Sequence, residues 1–231
     1  MLQNVRSKLA FLSEPSSATA VRNYLTLRKL IGILGIELPV VMWLGERLLC
    51  SARLQPTISD YYYTYVRDEF VGILWAIGVF LVCYRGTRVW DDIISTAAGL
   101  CAILVALFPT KPHESTADPC VIPSAIAPAW RDMIGNLHYT FAALFFLSIT
   151  AMALFLFKNR GKHDWTNAFY KVCGGTMLAC VLWMAFGVSL LKETIAVEAF
   201  GWAWLVNGIG KLKDPQDRPL PGGHAPPSKF A

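Results

Sequence analysis

The sequence predicts an all-α fold: a polytopic transmembrane bundle of about six helices with both termini in the cytoplasm. Hydrophobic residues make up 55% of the 231 residues and charged residues only 16%, which is more apolar and less charged than a soluble domain usually is. The apolar residues also lie in long runs. They do not follow the alternating pattern of a membrane β-barrel, so helices are expected.

Six apolar segments have compositions typical of membrane-spanning helices. In chain order they are residues 30–49, 70–84, 93–108, 138–157, 172–191 and 194–209. The chain therefore divides into a cytoplasmic N-terminal segment (1–29), a six-helix transmembrane domain (30–210) and a cytoplasmic tail (211–231). The tail is rich in proline, glycine and charge, and we expect it to be disordered.

The distribution of lysine and arginine predicts the orientation of the bundle. The two ends and the even-numbered connections carry fifteen of the 21 basic residues, whereas the odd-numbered connections carry six. Basic residues are retained on the cytoplasmic side, so both termini are expected inside a cell membrane such as a bacterial inner membrane. Because this orientation accounts for the net charge of +5, a nucleic-acid partner is not expected.

The six cysteines show neither a CxxC pattern nor a Cys/His spacing that would predict a zinc finger. No segment carries two histidines at metal-binding spacing, and no nucleotide-binding motif is present, so neither a metal nor a cofactor is expected. Cys50 and Cys120 fall in connections assigned to the non-cytoplasmic side, where a disulfide is possible. Sequence alone leaves open whether the two residues are close enough to be bridged.

The predicted topology brings several polar side chains to the outer ends of the helices. Acid–base or nucleophilic chemistry would use a histidine, a carboxylate or a hydroxyl at this level. The candidates for catalysis are His138, Glu198, Ser59 and Asp60. The candidates for ligand binding are Arg67, Asp68 and Tyr62.

Most of these residues also have a structural interpretation. Arg67 and Asp68 could form an interfacial ion pair, the tyrosines an aromatic belt, and Ser59 a helix cap. Glu198 is harder to explain in this way, because an acidic side chain at the membrane centre costs about 2.5 kcal/mol or more. We therefore expect Glu198 to pair with Arg67 or His138.

Several short motifs occur together in an order typical of a known group. They are Pro56-Thr57-Ile58-Ser59-Asp60, Asp92, His138 with Ala142, Phe145 and Phe146, and Glu198 with Phe200 and Trp202. This order resembles the DRAM/Frag/Sfk group of six-span membrane proteins and related bacterial membrane proteins of unknown function. The resemblance implies a six-helix bundle of lipid-handling character, with Ser59, Asp60, His138 and Glu198 as its polar residues. The chain departs from the group at Asp92, where Asn is common, and at Ala199, where Trp is common.

The leading functional hypothesis is a lipid-interacting membrane protein whose polar pocket opens at the outer, non-cytoplasmic face. Such a protein would bind, sense or remodel a membrane lipid. The alternative is a membrane-embedded lipid hydrolase or acyl transferase that uses His138 with a carboxylate, and a small-solute transporter is the third possibility. The sequence leaves open whether the protein is an enzyme, which lipid it would bind and which protein partners it has.

Overall fold

The computed structural model describes residues 17–50, 54–86, 88–112, 120–157 and 164–209. The described residues contain six α-helices and no strand, which confirms the predicted all-α fold. The helices are α1 (Ser17–Cys50), α2 (Arg67–Cys83), α3 (Val89–Leu107), α4 (Pro128–Ala151), α5 (Asp164–Met184) and α6 (Leu190–Ile209). A π-helical turn, Met152–Leu156, continues α4. The predicted tail (211–231) and residues 1–16 of the predicted N-terminal segment lie outside the described residues.

The six apolar segments correspond to the six helices, with differences at their ends. Helix α1 begins at Ser17, well before the predicted start at residue 30, and continues through Pro39. Helix α5 ends at Met184, earlier than predicted, because the chain turns there through Gly187, whose φ of 120° favours glycine. Two helices in the described part of the chain, α3 and α4 with its π-helical turn, are long and apolar enough to cross a membrane.

Close helix contacts depend on glycines at two crossings. A Cβ atom at Gly201 in α6 would lie 2.7 Å from the backbone nitrogen of Ile36 in α1. A Cβ atom at Gly99 in α3 would lie 2.5 Å from the carbonyl oxygen of Gly78 in α2. These distances leave no room for a side chain, so the glycines let the two helix pairs pack backbone to backbone.

A buried arginine joins three helices at the end of the bundle where α1 begins. The Nη2 atom of Arg28 donates to the hydroxyl of Tyr24 at 2.7 Å, and Nη1 donates to Oδ1 of Asn207 at 3.2 Å. The guanidinium also lies 4.3 Å from the ring centroid of Tyr24, a cation–π contact, and Nη2 donates to the hydroxyl of Tyr84. Arg28 therefore links α1 to α6 and to the end of α2.

A disulfide joins the opposite end of the bundle. Cys50, the last residue of α1, is bonded to Cys120, which precedes α4, with 5.9 Å between their Cα atoms. The sequence did not decide whether these two cysteines are bridged, and the structure shows that they are. It closes a loop of 70 residues, and disulfides of this kind stabilise folded proteins by about 2–4 kcal/mol.

Candidate functional site

Residues 54–66, which precede α2, fold inward and cover one end of the bundle. We call residues 54–66 the first loop; it contains a 3-10 helix, Ser59–Tyr63. The backbone N–H of Leu190 donates to the carbonyl of Pro56 at 2.6 Å, and that of Ile122 donates to the carbonyl of Tyr63 at 2.6 Å. These bonds attach the loop to the start of α6 on one side and to the segment before α4 on the other.

Glu193, in the first turn of α6, binds the start of the 3-10 helix. The backbone N–H of Ile58 donates to its Oε2 at 2.5 Å, and the N–H of Ser59 donates to the same oxygen at 3.4 Å. The Ser59 hydroxyl donates to Oε1 at 3.3 Å. Glu193 is buried, so these three donors replace the water that a carboxylate would otherwise bind.

Two further buried carboxylates lie around the first loop. Oδ2 of Asp60 accepts from the Thr57 hydroxyl at 2.8 Å, and Oε1 of Glu46 accepts from Nε2 of Gln55 at 2.7 Å. Burial, followed by the negative charge of Glu46, raises the pKa of Tyr61 to about 12. The Tyr61 phenol therefore stays neutral at physiological pH and adds no charge beside Glu46.

His138 in α4 is buried, with 1% of its side chain exposed. Its Nδ1 lies 2.6 Å from the carbonyl oxygen of Phe108, at the end of α3. A carbonyl only accepts hydrogen bonds, so Nδ1 carries the proton and Nε2 of the neutral ring has a free lone pair. Nε2 is buried and has no hydrogen-bond partner within the part of the chain that the structure describes.

A cavity of about 370 Å³, which we call the His138 cavity, lies between α4, α5 and α6. His138 and Glu193 line it together with apolar side chains, among them Phe146, Val181 and Met184. A smaller void of about 40 Å³ shares Phe146 and Glu193 with it and extends to Ser59. The His138 cavity therefore has mainly apolar walls and a polar end formed by a histidine and a carboxylate.

The structure brings some of the predicted residues together. Ser59 binds Glu193 directly, and Asp60 interacts electrostatically with both Glu193 and His138. His138 lines the cavity that Glu193 also lines. Three of the four predicted catalytic candidates, Ser59, Asp60 and His138, therefore lie around one carboxylate.

The carboxylate at this position is Glu193 and not the predicted Glu198. Glu198 is half-buried further along α6, beside Trp202 one turn away, and among the described residues it forms no ion pair with Arg67 or His138. Sequence reasoning missed Glu193 because it follows Lys192 in the short connection before the last apolar segment, where adjacent charges are usually solvated. The position of Glu193 in the first turn of a helix, where acidic residues are favoured, was the one feature of the sequence that could have indicated its role.

The predicted binding residues lie on the other side of the first loop. Nη2 of Arg67 donates to the Tyr62 hydroxyl at 2.9 Å, and the guanidinium lies 4.5 Å from the Tyr62 ring centroid. Asp68 is exposed in the first turn of α2 and does not form the ion pair with Arg67 that the sequence suggested. Among the described residues, no group of three His, Cys, Asp or Glu side chains is arranged to hold a metal ion.

Comparison with protein-family models, with curated proteins and with solved structures finds no match for this chain. The site must therefore be interpreted from its own geometry.

Replacing Glu193 with alanine is expected to destabilise the protein strongly. The N–H groups of Ile58 and Ser59 would stay buried without an acceptor, and each such donor costs about 1–3 kcal/mol. We expect Glu193→Ala to lower the free energy of unfolding by about 3 kcal/mol, and Glu193→Gln, which keeps one acceptor oxygen, to lower it less. Chemical unfolding of the purified protein measures these differences.

Glu198→Ala is the matched control, because it removes the same side chain from the same helix. It should lower the free energy of unfolding by less than about 1 kcal/mol. Equal losses for the two alanine variants would show that the contacts of Glu193 have no special role in the fold.

Proposed function

We propose that this chain is a multi-pass membrane protein that binds the acyl chain of a membrane lipid in the His138 cavity. The observation that carries the proposal is the cavity itself: about 370 Å³ of space with mainly apolar walls and a polar end at Glu193 and His138. Ligand sites of this size are usually apolar clefts with a few convergent polar groups. An acyl chain with a polar ester or head group has the matching distribution of polarity.

The surface of the bundle supports a location in the membrane. Every one of the six described helices exposes large apolar side chains. Examples from successive helices are Trp43, Val79, Leu100, Leu147, Leu182 and Trp202. A helix bundle in a membrane exposes apolar side chains to lipid around its whole circumference, which agrees with exposed apolar residues on all six helices. Six crossings would cover these side chains with lipid, as the resemblance to the DRAM/Frag/Sfk group also implies.

The disulfide supports the proposed orientation. Disulfides persist in oxidising compartments and are rare in the cytoplasm. Cys50 and Cys120 lie at the end of the bundle that carries the first loop, whereas Arg85 and Arg88 lie at the other end. The His138 cavity would then lie near the outer leaflet, and both termini would be cytoplasmic, in agreement with the distribution of basic residues.

Lipid hydrolysis or acyl transfer is the second candidate function, and the state of His138 favours it. Its Nδ1–H is held by the Phe108 carbonyl, so the lone pair of the neutral ring is on Nε2, which is buried and would have to become accessible from the cavity to act as a base. A general base must reach the proton that it removes, from a water molecule or an alcohol bound in the cavity. Ser59 donates its hydroxyl to Glu193, so in this geometry the serine is held by the carboxylate and not by the histidine.

The orientation can be tested by labelling introduced cysteines with a membrane-impermeant maleimide. Ala125 and Arg88 are both exposed, at opposite ends of the bundle. We expect Ala125→Cys to react in intact cells that produce the protein, and Arg88→Cys to react only after lysis. The reverse pattern would invert the orientation, and labelling of both variants before lysis would contradict a membrane-spanning arrangement.

Lipid binding can be tested by filling the His138 cavity. Ala143 lines the cavity, and Ala179 is an exposed alanine of α5 that does not. We expect Ala143→Phe to lower crosslinking of a phospholipid with a photoreactive acyl chain by about tenfold, equivalent to about 1.4 kcal/mol. Ala179→Phe should leave crosslinking unchanged. If the wild-type protein takes up no label near Val181 and Met184, the proposed acyl site is wrong.

The variant His138→Asn distinguishes lipid binding from catalysis when crosslinking and fatty-acid release are both measured. Asparagine can still donate to the Phe108 carbonyl but offers no basic nitrogen. A lipid-binding protein should keep its crosslinking in this variant and release no fatty acid in either form. A hydrolase should release fatty acid only with His138 present.

A further inference from the structure

A second cavity, which we call the Arg67 cavity, lies on the other side of the first loop. Its volume is about 460 Å³, and it lies between the first loop, the end of α3 and the segment that leads into α4. Its apolar walls include Leu107, Phe108, Pro109, Ile122, Pro123 and Ile134. Polar groups come mainly from Arg67, Tyr62, Tyr63 and Ser124. It is separate from the His138 cavity but meets it at Phe108, whose carbonyl binds His138.

Arg67, an exposed residue of the cavity wall, places a positive charge there that no carboxylate of the described residues neutralises. Within the described residues no Asp or Glu oxygen lies within 4 Å of its guanidinium, although Asp68 and Glu69 follow it directly in the sequence. The nearby Lys111, in contrast, is paired with Asp132 at 3.1 Å. The bond from Nη2 to Tyr62 and the contact with the Tyr62 ring hold the guanidinium in place. Its other N–H groups remain available to a ligand.

The surroundings of the cavity also favour an anion. Nε of Arg131 donates to the carbonyl of Ile126, a residue of the cavity wall, and its charge acts on Tyr63. Burial raises the pKa of Tyr63, so this phenol stays neutral. Asp60 is the carboxylate that also acts on Tyr63, but it is buried, bonds to Thr57 and does not line the cavity.

Because the proposed function already places a lipid near this end of the bundle, the occupant can be named by its chemistry. We infer that the Arg67 cavity binds a glycerophospholipid, with the phosphodiester against Arg67 and part of an acyl chain along the apolar walls. The planar guanidinium fits two phosphate oxygens, and the apolar walls gain from contact with hydrocarbon and not from a soluble anion. This inference rests on the proposed lipid-binding function.

The test measures binding of four probes to the full chain in a nonionic detergent, by native mass spectrometry. The probes are dioleoylphosphatidylglycerol, dioleoylphosphatidylcholine, dioleoylglycerol and inorganic phosphate. For both phospholipids, we expect Arg67→Gln to weaken one binding event per chain by about tenfold, and to leave the binding event in the His138 cavity and dioleoylglycerol binding unchanged. Arg67→Lys, which keeps the charge without the planar fork, should give a smaller loss.

Arg85→Gln is the matched control, because Arg85 is an exposed arginine at the opposite end of α2. It should not change phospholipid binding. The inference is overturned if Arg67→Gln binds phosphatidylglycerol as tightly as the wild type, if Arg85→Gln is equally impaired, or if millimolar inorganic phosphate displaces the phospholipid. If the wild-type protein binds no lipid of any kind, the proposed function itself fails.

Discussion

The carboxylate of Glu193 determines how the first loop lies on the bundle. It accepts two backbone N–H groups and one hydroxyl at the start of the 3-10 helix. Without this acceptor, the polar backbone of Ile58 and Ser59 would be buried unsatisfied, or the loop would turn outward to water. One side chain of α6 therefore keeps Ser59 and Asp60 inside the protein and closes the His138 cavity at its polar end.

Residues 108–110 lie between the two cavities and are held there by two hydrogen bonds and a ring contact. His138 holds the carbonyl of Phe108, and the Tyr63 hydroxyl donates to the carbonyl of Thr110 at 2.6 Å. The ring of Phe108 stacks on Phe141 at 5.8 Å. Residues 108–110, directly after α3, are thus held from both sides. Their position leaves His138 on one cavity and Arg67 on the other, so the two cavities differ in their chemistry.

The sequence was sufficient for the parts of the fold that depend on local composition. Long apolar runs predicted the helices, and the Ser59-Asp60 pair and His138 were identified as polar residues at one end of the bundle. The residue that organises them was missed, because the burial of Glu193 depends on the docking of a loop 135 positions away in the sequence. Glu198 was chosen for its place inside an apolar segment, but in α6 its side chain is only half-buried and lies beside Trp202.

The disulfide and the contacts of Arg67 also show that the sequence does not predict which residues pair in the fold. Cys50 and Cys120 were recognised as possible partners, but only the folded chain brings their Cα atoms to 5.9 Å. Arg67 was expected to find a carboxylate, and its neighbour in the fold is instead an aromatic ring with a hydroxyl. Composition and spacing predict which residues are polar and on which end they lie, whereas pairing depends on distances that sequence does not contain.

Hydrogen exchange in the first loop tests the central role of Glu193 most directly. In the wild-type protein, the peptide covering residues 54–66 should exchange slowly, because its amides at Ile58 and Ser59 are bonded to a buried carboxylate. Glu193→Ala should accelerate exchange in this peptide by about tenfold or more, with α2 and α3 unchanged, and Glu198→Ala should have no effect. Rapid exchange in the wild-type loop, or equal exchange in all three proteins, would contradict the account.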